Sequence, residues 1–262
     1  MNNPLKVLRL NIIGVGPGDP ELITVKAVNA AINSKFIFYP DVCGGKSRVA
    51  YDIIKNAVKL SGAKELPEEM FLPLEVEMKR SNGRNDDLYY KNAIKIIKKL
   101  KEGTCSYITI GDPMFYSTYY GLYNAIEDIR SDNFLKSGYE LDINIINGVS
   151  SLHYALGLIG KPYIIKNGAV FITVPIKKKL AEIESEIKFI ADKYPGPQVI
   201  VFMKAGAYVK DILSAFKRVC TAALTENRVK LYLIEKSKLV KDFAERDCLD
   251  FDYFSILIGV FV

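Results

Sequence analysis

The sequence of 262 residues has one histidine, His153, and four cysteines. The cysteines, at 43, 105, 220 and 248, show no C-x-x-C spacing and do not cluster with the histidine, which argues against a structural zinc site. His153 lies in Ser150-Ser151-Leu152-His153-Tyr154-Ala155-Leu156, which reads as a helix start. With no sequence-local partner it is assigned a structural role. No apolar run approaches the roughly 20 residues that cross a bilayer, and Met1-Asn2-Asn3-Pro4 does not begin a signal peptide. The expectation is a cytoplasmic protein with reduced thiols and no membrane partner. Charge of one sign is also scarce. The excess of 36 basic over 30 acidic residues leaves +6, too little to demand nucleic acid but suited to an anionic small molecule.

What is present is glycine in a particular place. Val7-Leu8-Arg9-Leu10-Asn11-Ile12-Ile13 reads as a buried strand, and Gly14-Val15-Gly16-Pro17-Gly18-Asp19-Pro20-Glu21 follows it at once. Proline fixes the chain there, and glycine admits a ligand where a Cβ would clash. Leu22 to Ile32 then carries helical spacing of apolar positions, so the unit is strand, loop, helix. The same order recurs with Ser106-Tyr107-Ile108-Thr109-Ile110 as strand, Gly111-Asp112-Pro113-Met114-Phe115-Tyr116-Ser117-Thr118 as loop and Tyr119 to Ile129 as helix. Open α/β sheets bind ligands at such strand ends.

Two familiar glycine signatures do not fit. A dinucleotide fingerprint needs a third glycine where Asp19 stands, and a carboxylate beside a pyrophosphate would repel it. Cys43-Gly44-Gly45-Lys46-Ser47 resembles the tail of a P-loop, but its opening glycine falls on Pro40. The amphipathic stretch from Asn92 to Gly103 and the run Lys177-Lys178-Lys179, opening a helix to Lys193, are solvated helix faces.

Gly-x-Gly-Pro-Gly-Asp-Pro with Leu22, Thr24 and Ala27, then Gly111-Asp112-Pro113, then Gly148-Val149-Ser150-Ser151, resembles the tetrapyrrole methylases of corrin and sirohaem biosynthesis. Tyr116-Ser117-Thr118, Phe202-Met203-Lys204-Ala205-Gly206 and Tyr253-Phe254-Ser255 look most like the enzymes that methylate C-20 of precorrin-2 or cobalt-factor II. The resemblance implies two unlike α/β domains of the class III methyltransferase type, with S-adenosylmethionine between them and the tetrapyrrole in a trough above. A homodimer is implied by analogy. The break in the pattern near residues 112 to 119 places the domains at 1–115 and 116–262, with later strands at Leu141–Ile146, Ala169–Val174, Val199–Met203, Val229–Ile234 and Phe254–Val262. By motif, the donor contacts carried over are Pro17, Gly111, Asp112, Phe115, Tyr116, Ser150, Ser151, Met203 and Ser237. One departure stands out: the family usually has proline before Gly148, this chain has Asn147, and a looser loop is expected there.

The implied chemistry moves a methyl group from a sulfonium to a meso carbon, with the macrocycle as nucleophile. Positioning of two reactants can supply roughly 7 to 11 kcal/mol, whereas one acid or base adds about 10²- to 10⁴-fold. Asp112 and Tyr116 are the candidate bases. The implied substrate carries eight carboxylate arms, and Lys46, Arg48, Lys79, Arg80 and Arg84, cations in irregular segments near the turn Ser81-Asn82-Gly83 and the stretch 61–74, are its candidate partners. Three other readings fit the loops: another corrin-ring methylase, a diphthine synthase-like enzyme, and a donor-binding regulatory protein without catalysis.

Overall fold

The structure, a computed structural model, describes residues 5–42, 48–76, 86–132, 138–193, 196–240 and 251–261. The chain divides into two compact units, residues 1–151 and 152–262.

The first unit is a parallel sheet covered on both faces. Its strands are β1 (Lys6–Gly14), β2 (Phe36–Val42), β3 (Phe71–Val76), β4 (Cys105–Thr109) and β5 (Tyr139–Ile146), in the spatial order β3-β2-β4-β1-β5. Every neighbouring pair is parallel. Helices α1 (Val25–Ile32), α2 (Val49–Leu60), α3 (Asp86–Leu100) and α4 (Tyr119–Asp132) link them. The alternation of β1 sends Leu8, Leu10 and Ile12 to one face and Ile13 to the other. Ala93, Ile96 and Leu100 of α3 and Leu122, Ala125 and Ile126 of α4 recur at three- and four-residue spacing and close over the first face. Ala27 and Ala31 of α1 and Ile53, Ile54 and Ala57 of α2 close over the second. Fully burying each large aliphatic side chain contributes about 1.5 to 3 kcal/mol. The helix start expected at Leu22 lies later: Thr24 caps α1, its Oγ1 accepting from Ala27 N at 3.2 Å, after a short 3-10 turn at Pro20–Leu22. Residues 71–74, the end of the stretch 61–74 read as irregular, lie in β3. It sits at the sheet edge, where Pro73 is tolerated.

The second unit opens with α5 (Ser151–Ile159) and is built on a mixed sheet of order β6-β7-β10-β8-β9. The strands are β6 (Ala169–Thr173), β7 (Gln198–Phe202), β8 (Val229–Glu235), β9 (Lys238–Val240) and β10 (Ile256–Phe261), with β6 parallel to β7 and the other pairs antiparallel. Helix α6 (Leu180–Lys193) turns Ile183, Ile187 and Ile190 to the core, and α7 (Val209–Val219) adds Ile212, Ala215 and Phe216. The short α8 (Thr221–Thr225) leads into β8. Gly259 on β10 makes room for the Phe216 ring, since a Cβ there would stand 2.4 Å from Phe216 Cζ.

The division falls after Ser151, not after residue 115 as the sequence reading placed it. β5 pairs with β1 from Lys6↔Tyr139 to Ile13↔Ile146, and Leu122 and Ile126 of α4 share a core with Ile96 of α3. Residues 116–151 therefore complete the first unit. Apolar content marks a strand but does not reveal which strand it pairs with.

Candidate functional site

Because β1, β4 and β5 are adjacent and parallel, their C-terminal ends deliver three loops to one edge of the first sheet. The loops are locked together by backbone. Val15 N donates to Thr109 O at 2.9 Å, Gly16 N to Gly111 O at 3.2 Å, and Gly111 N to Gly16 O at 2.7 Å, which makes a short antiparallel bridge beyond the parallel strands. A Cβ on Gly148 would lie 2.3 Å from Gly111 O and 2.7 Å from Gly14 O, so the third loop can approach only as glycine. Gly111 differs. Its φ of +70° favours glycine, yet a Cβ there would meet nothing nearer than Ser151 N at 3.8 Å. Space is left open beside it.

Asp112 ties this junction. Its Oδ1 accepts from Met114 N at 2.8 Å, and its Oδ2 accepts from Gly148 N at 3.1 Å and from Asn147 Nδ2 at 3.0 Å. The looser loop expected from Asn147 is not what the chain builds. The Asn147 amide gives the third loop a side-chain tether to the second that proline has no group to make.

The segment after Asp112 turns sharply into α4. Ser117 Oγ donates to Pro113 O at 2.5 Å and accepts from Tyr119 N at 3.1 Å. Thr118 Oγ1 lies 2.6 Å from the hydroxyl of buried Tyr107, whose ionisation burial suppresses. Tyr116 itself has φ of +51°, an uncommon state for an aromatic residue. Its ring stays half-exposed and meets Phe115 edge-on at 4.9 Å. The Tyr-Ser-Thr run thus has a structural content: one residue is displayed and the next two hold it.

The structure brings Pro17, Gly111, Asp112, Phe115, Tyr116, Ser150 and Ser151 to this one edge, on the three loops and the first turn of α5. Ser150 is buried. Met203 and Ser237 belong to the second unit. Met203 follows β7, is 5% exposed, and donates its N–H to Thr173 O at 2.9 Å. Ser237 occupies the two-residue turn between β8 and β9, where Lys236 and Ser237 have φ of +47° and +60°. Both lie at the same edge of their sheet, because β7 and β8 each run antiparallel to β10.

Of the candidate cations, Lys46, Lys79, Arg80 and Arg84 lie outside the described residues. Arg48 is exposed at the start of α2, its guanidinium carbon 5.8 Å from the Tyr51 ring. Two groups have no role assigned from the sequence. Asp41, near the end of β2, holds a buried Oδ1 without a hydrogen-bond partner. Lys204, just after Met203, has φ of +54° and a pKa lowered by burial, with its Nζ 5.9 Å from the Tyr253 ring. Among the described residues no cluster of His, Cys, Asp or Glu could hold a metal ion, and no helix is long and apolar enough to cross a membrane.

The chain is 30% identical over 152 residues to a probable cobalt-precorrin-2 C(20)-methyltransferase of Methanocaldococcus jannaschii, a match covering 58% of this chain and 57% of that protein. It is 26% identical over 258 residues to a precorrin-2 C(20)-methyltransferase of Sinorhizobium sp, covering 95% and 94%. The fold agrees with that of uroporphyrin-III C-methyl transferase from Thermus thermophilus, solved with S-adenyl homocysteine, at a TM-score of 0.55 and 16% identity over 96% of each chain. The family model of tetrapyrrole (corrin/porphyrin) methylases matches residues 9–230, most of the chain, and the chain belongs to that family.

Proposed function

We propose that the chain methylates C-20 of precorrin-2 or cobalt-factor II in cobalamin biosynthesis, with S-adenosylmethionine as donor. The observation that carries the donor half is the open space beside Gly111, held by a junction in which Gly14 and Gly148 have no room for a side chain. A cradle that a Cβ would fill, ringed by backbone at parallel strand ends, fits a small polar ligand. The names of the two C(20)-methyltransferase relatives support the acceptor half.

The donor supplies an electrophilic methyl group on sulfur; the rest of the work falls to placement. Gly111, Pro17 and the Ser150–Ser151 turn would hold the donor. Phe115 and Tyr116 would offer ring faces next to it. Asp112 has both carboxylate oxygens committed to the loops, so its role is to position Gly148 and Asn147. Tyr116, half-exposed at a strained backbone position, would use its hydroxyl to orient the water that takes up the C-20 proton.

The test is mass spectrometry of the macrocycle after incubation with the donor and either precorrin-2 or cobalt-factor II. One added methyl group on either substrate, placed at C-20 by NMR, is expected. Methylation at another ring position would move the chain to a different corrin-ring activity, and donor binding without any methylation would overturn the catalytic reading.

A further inference from the structure

Lys204 is the unusual cation of the described structure. Four other lysines lie beside aromatic rings among the described residues, but Lys55 pairs with Glu68, Lys99 pairs with Glu102 at 2.9 Å, and Lys35 and Lys101 are exposed to water. Among the described residues Lys204 has no ion pair, and its only resolved interaction is with the Tyr253 ring. Burial lowers its pKa, and among the described residues no neighbouring charge contributes. An ammonium withdrawn from water without a counter-ion is destabilising, and here the backbone is strained as well, at φ of +54°. Glycine at this position would remove both penalties.

The surroundings are built rather than loose. Ala205 N donates to Ser255 O at 2.8 Å, and a Cβ on Gly206 would stand 2.2 Å from Asp252 O, so the loop after β7 is clamped to the segment before β10. Asp252 Oδ1 accepts from Phe254 N at 2.9 Å. Glu235 Oε1 accepts from Asp252 N at 2.7 Å. Asp252 and Glu235 thus each accept from backbone of this segment. Tyr253 and Phe254 meet edge-on at 5.1 Å, yet remain 38% and 46% exposed. A largely buried cation beside the exposed Tyr253 ring, itself edge-on to Phe254, is a receptor for a carboxylate carried on a flat conjugated body.

We propose that Lys204, with Tyr253 and Phe254, receives one carboxylate arm of the tetrapyrrole acceptor. The proposal rests on the methyltransferase reading and deepens it. The donor also carries a carboxylate, but its neighbouring ammonium would be repelled by the lysine, whereas the acceptor's arms are anionic only. The residues that mark the C-20-like signature after β7 and before β10 then acquire a shared purpose.

Uroporphyrin, a stable porphyrin with eight carboxylates, serves as the probe in an absorbance titration of wild type, Lys204→Met, Lys204→Arg and Lys204→Gly, with S-adenosylhomocysteine affinity measured in parallel by calorimetry. Loss of a charged hydrogen bond predicts that Lys204→Met weakens uroporphyrin binding about tenfold or more, with Lys204→Arg close to wild type. S-adenosylhomocysteine affinity stays within about twofold in all variants. Lys204→Gly should lose the same porphyrin affinity with a melting temperature no lower than wild type, since the strain is relieved, which a purely structural lysine would not produce. Equal porphyrin affinity in wild type and Lys204→Met, no porphyrin binding by wild type, or a loss confined to S-adenosylhomocysteine would each overturn the proposal. Failure of wild type to bind S-adenosylhomocysteine would instead count against the methyltransferase reading.

Discussion

The two units end their sheets in opposite ways. At the loop edge of the first, side chains are removed: Gly14 and Gly148 stand where a Cβ would strike backbone, and Gly16, Gly18 and Gly111 take positive φ. At the corresponding edge of the second, Lys204, Lys236 and Ser237 adopt left-handed backbone with their side chains kept. Among the described residues the first unit has one such non-glycine position, Tyr116, and it too sits at the loop edge. The contrast teaches that conformation alone does not select the residue. Where the backbone must come close, or leave room, glycine wins; where strain of about 1 to 2 kcal/mol per residue is tolerated, the side chain is worth retaining.

Adding a single methyl group at the first edge breaks this contrast most severely. Gly148→Ala should destabilise the first unit by about 3 kcal/mol or more, because backbone on both sides must yield, and urea denaturation would measure it. A marginal change would mean the loops are not packed as described. Asp112→Ala comes next, at about 1 to 2 kcal/mol, since it leaves the Met114 and Gly148 amides without their acceptor. Asn147→Ala should cost about 1 kcal/mol, and a double-mutant cycle should show the pair to be coupled; strict additivity would remove the tether. Smallest is Lys236→Asn with Ser237→Gly. This suits the mirror-image hairpin turn and should stabilise the second unit by about 1 kcal/mol, read from its thermal transition. If donor affinity is also unchanged, Ser237 is a turn residue and no donor contact.

Much of the first unit was legible because period and punctuation agree there. The β4 strand is buried throughout and β1 is buried from Leu10 to Gly14, as covered parallel strands must be, and the glycine loops follow them directly. β3 escaped because Pro73 lowers its strand signal while the edge position tolerates it. The domain boundary escaped because pairing of β5 with β1 spans more than a hundred residues of sequence. At the site, the motifs located Gly111 and Asp112 but not their division of labour. Open space beside one and three hydrogen bonds to the other are properties of assembled loops. Lys204 was quoted within a signature, yet its lack of an ion pair among the described residues could appear only after folding.

The central claim is that the clearing beside Gly111 holds the methyl donor. Calorimetry with S-adenosylhomocysteine on wild type and Gly111→Val measures it most directly, with circular dichroism confirming that both are folded. The valine must bear a positive φ but meets no close neighbour, so the fold should survive while its branches fill the clearing. Micromolar-class binding by wild type with none by folded Gly111→Val is the expected result. Equal affinity in the two proteins would place the donor elsewhere and contradict the account.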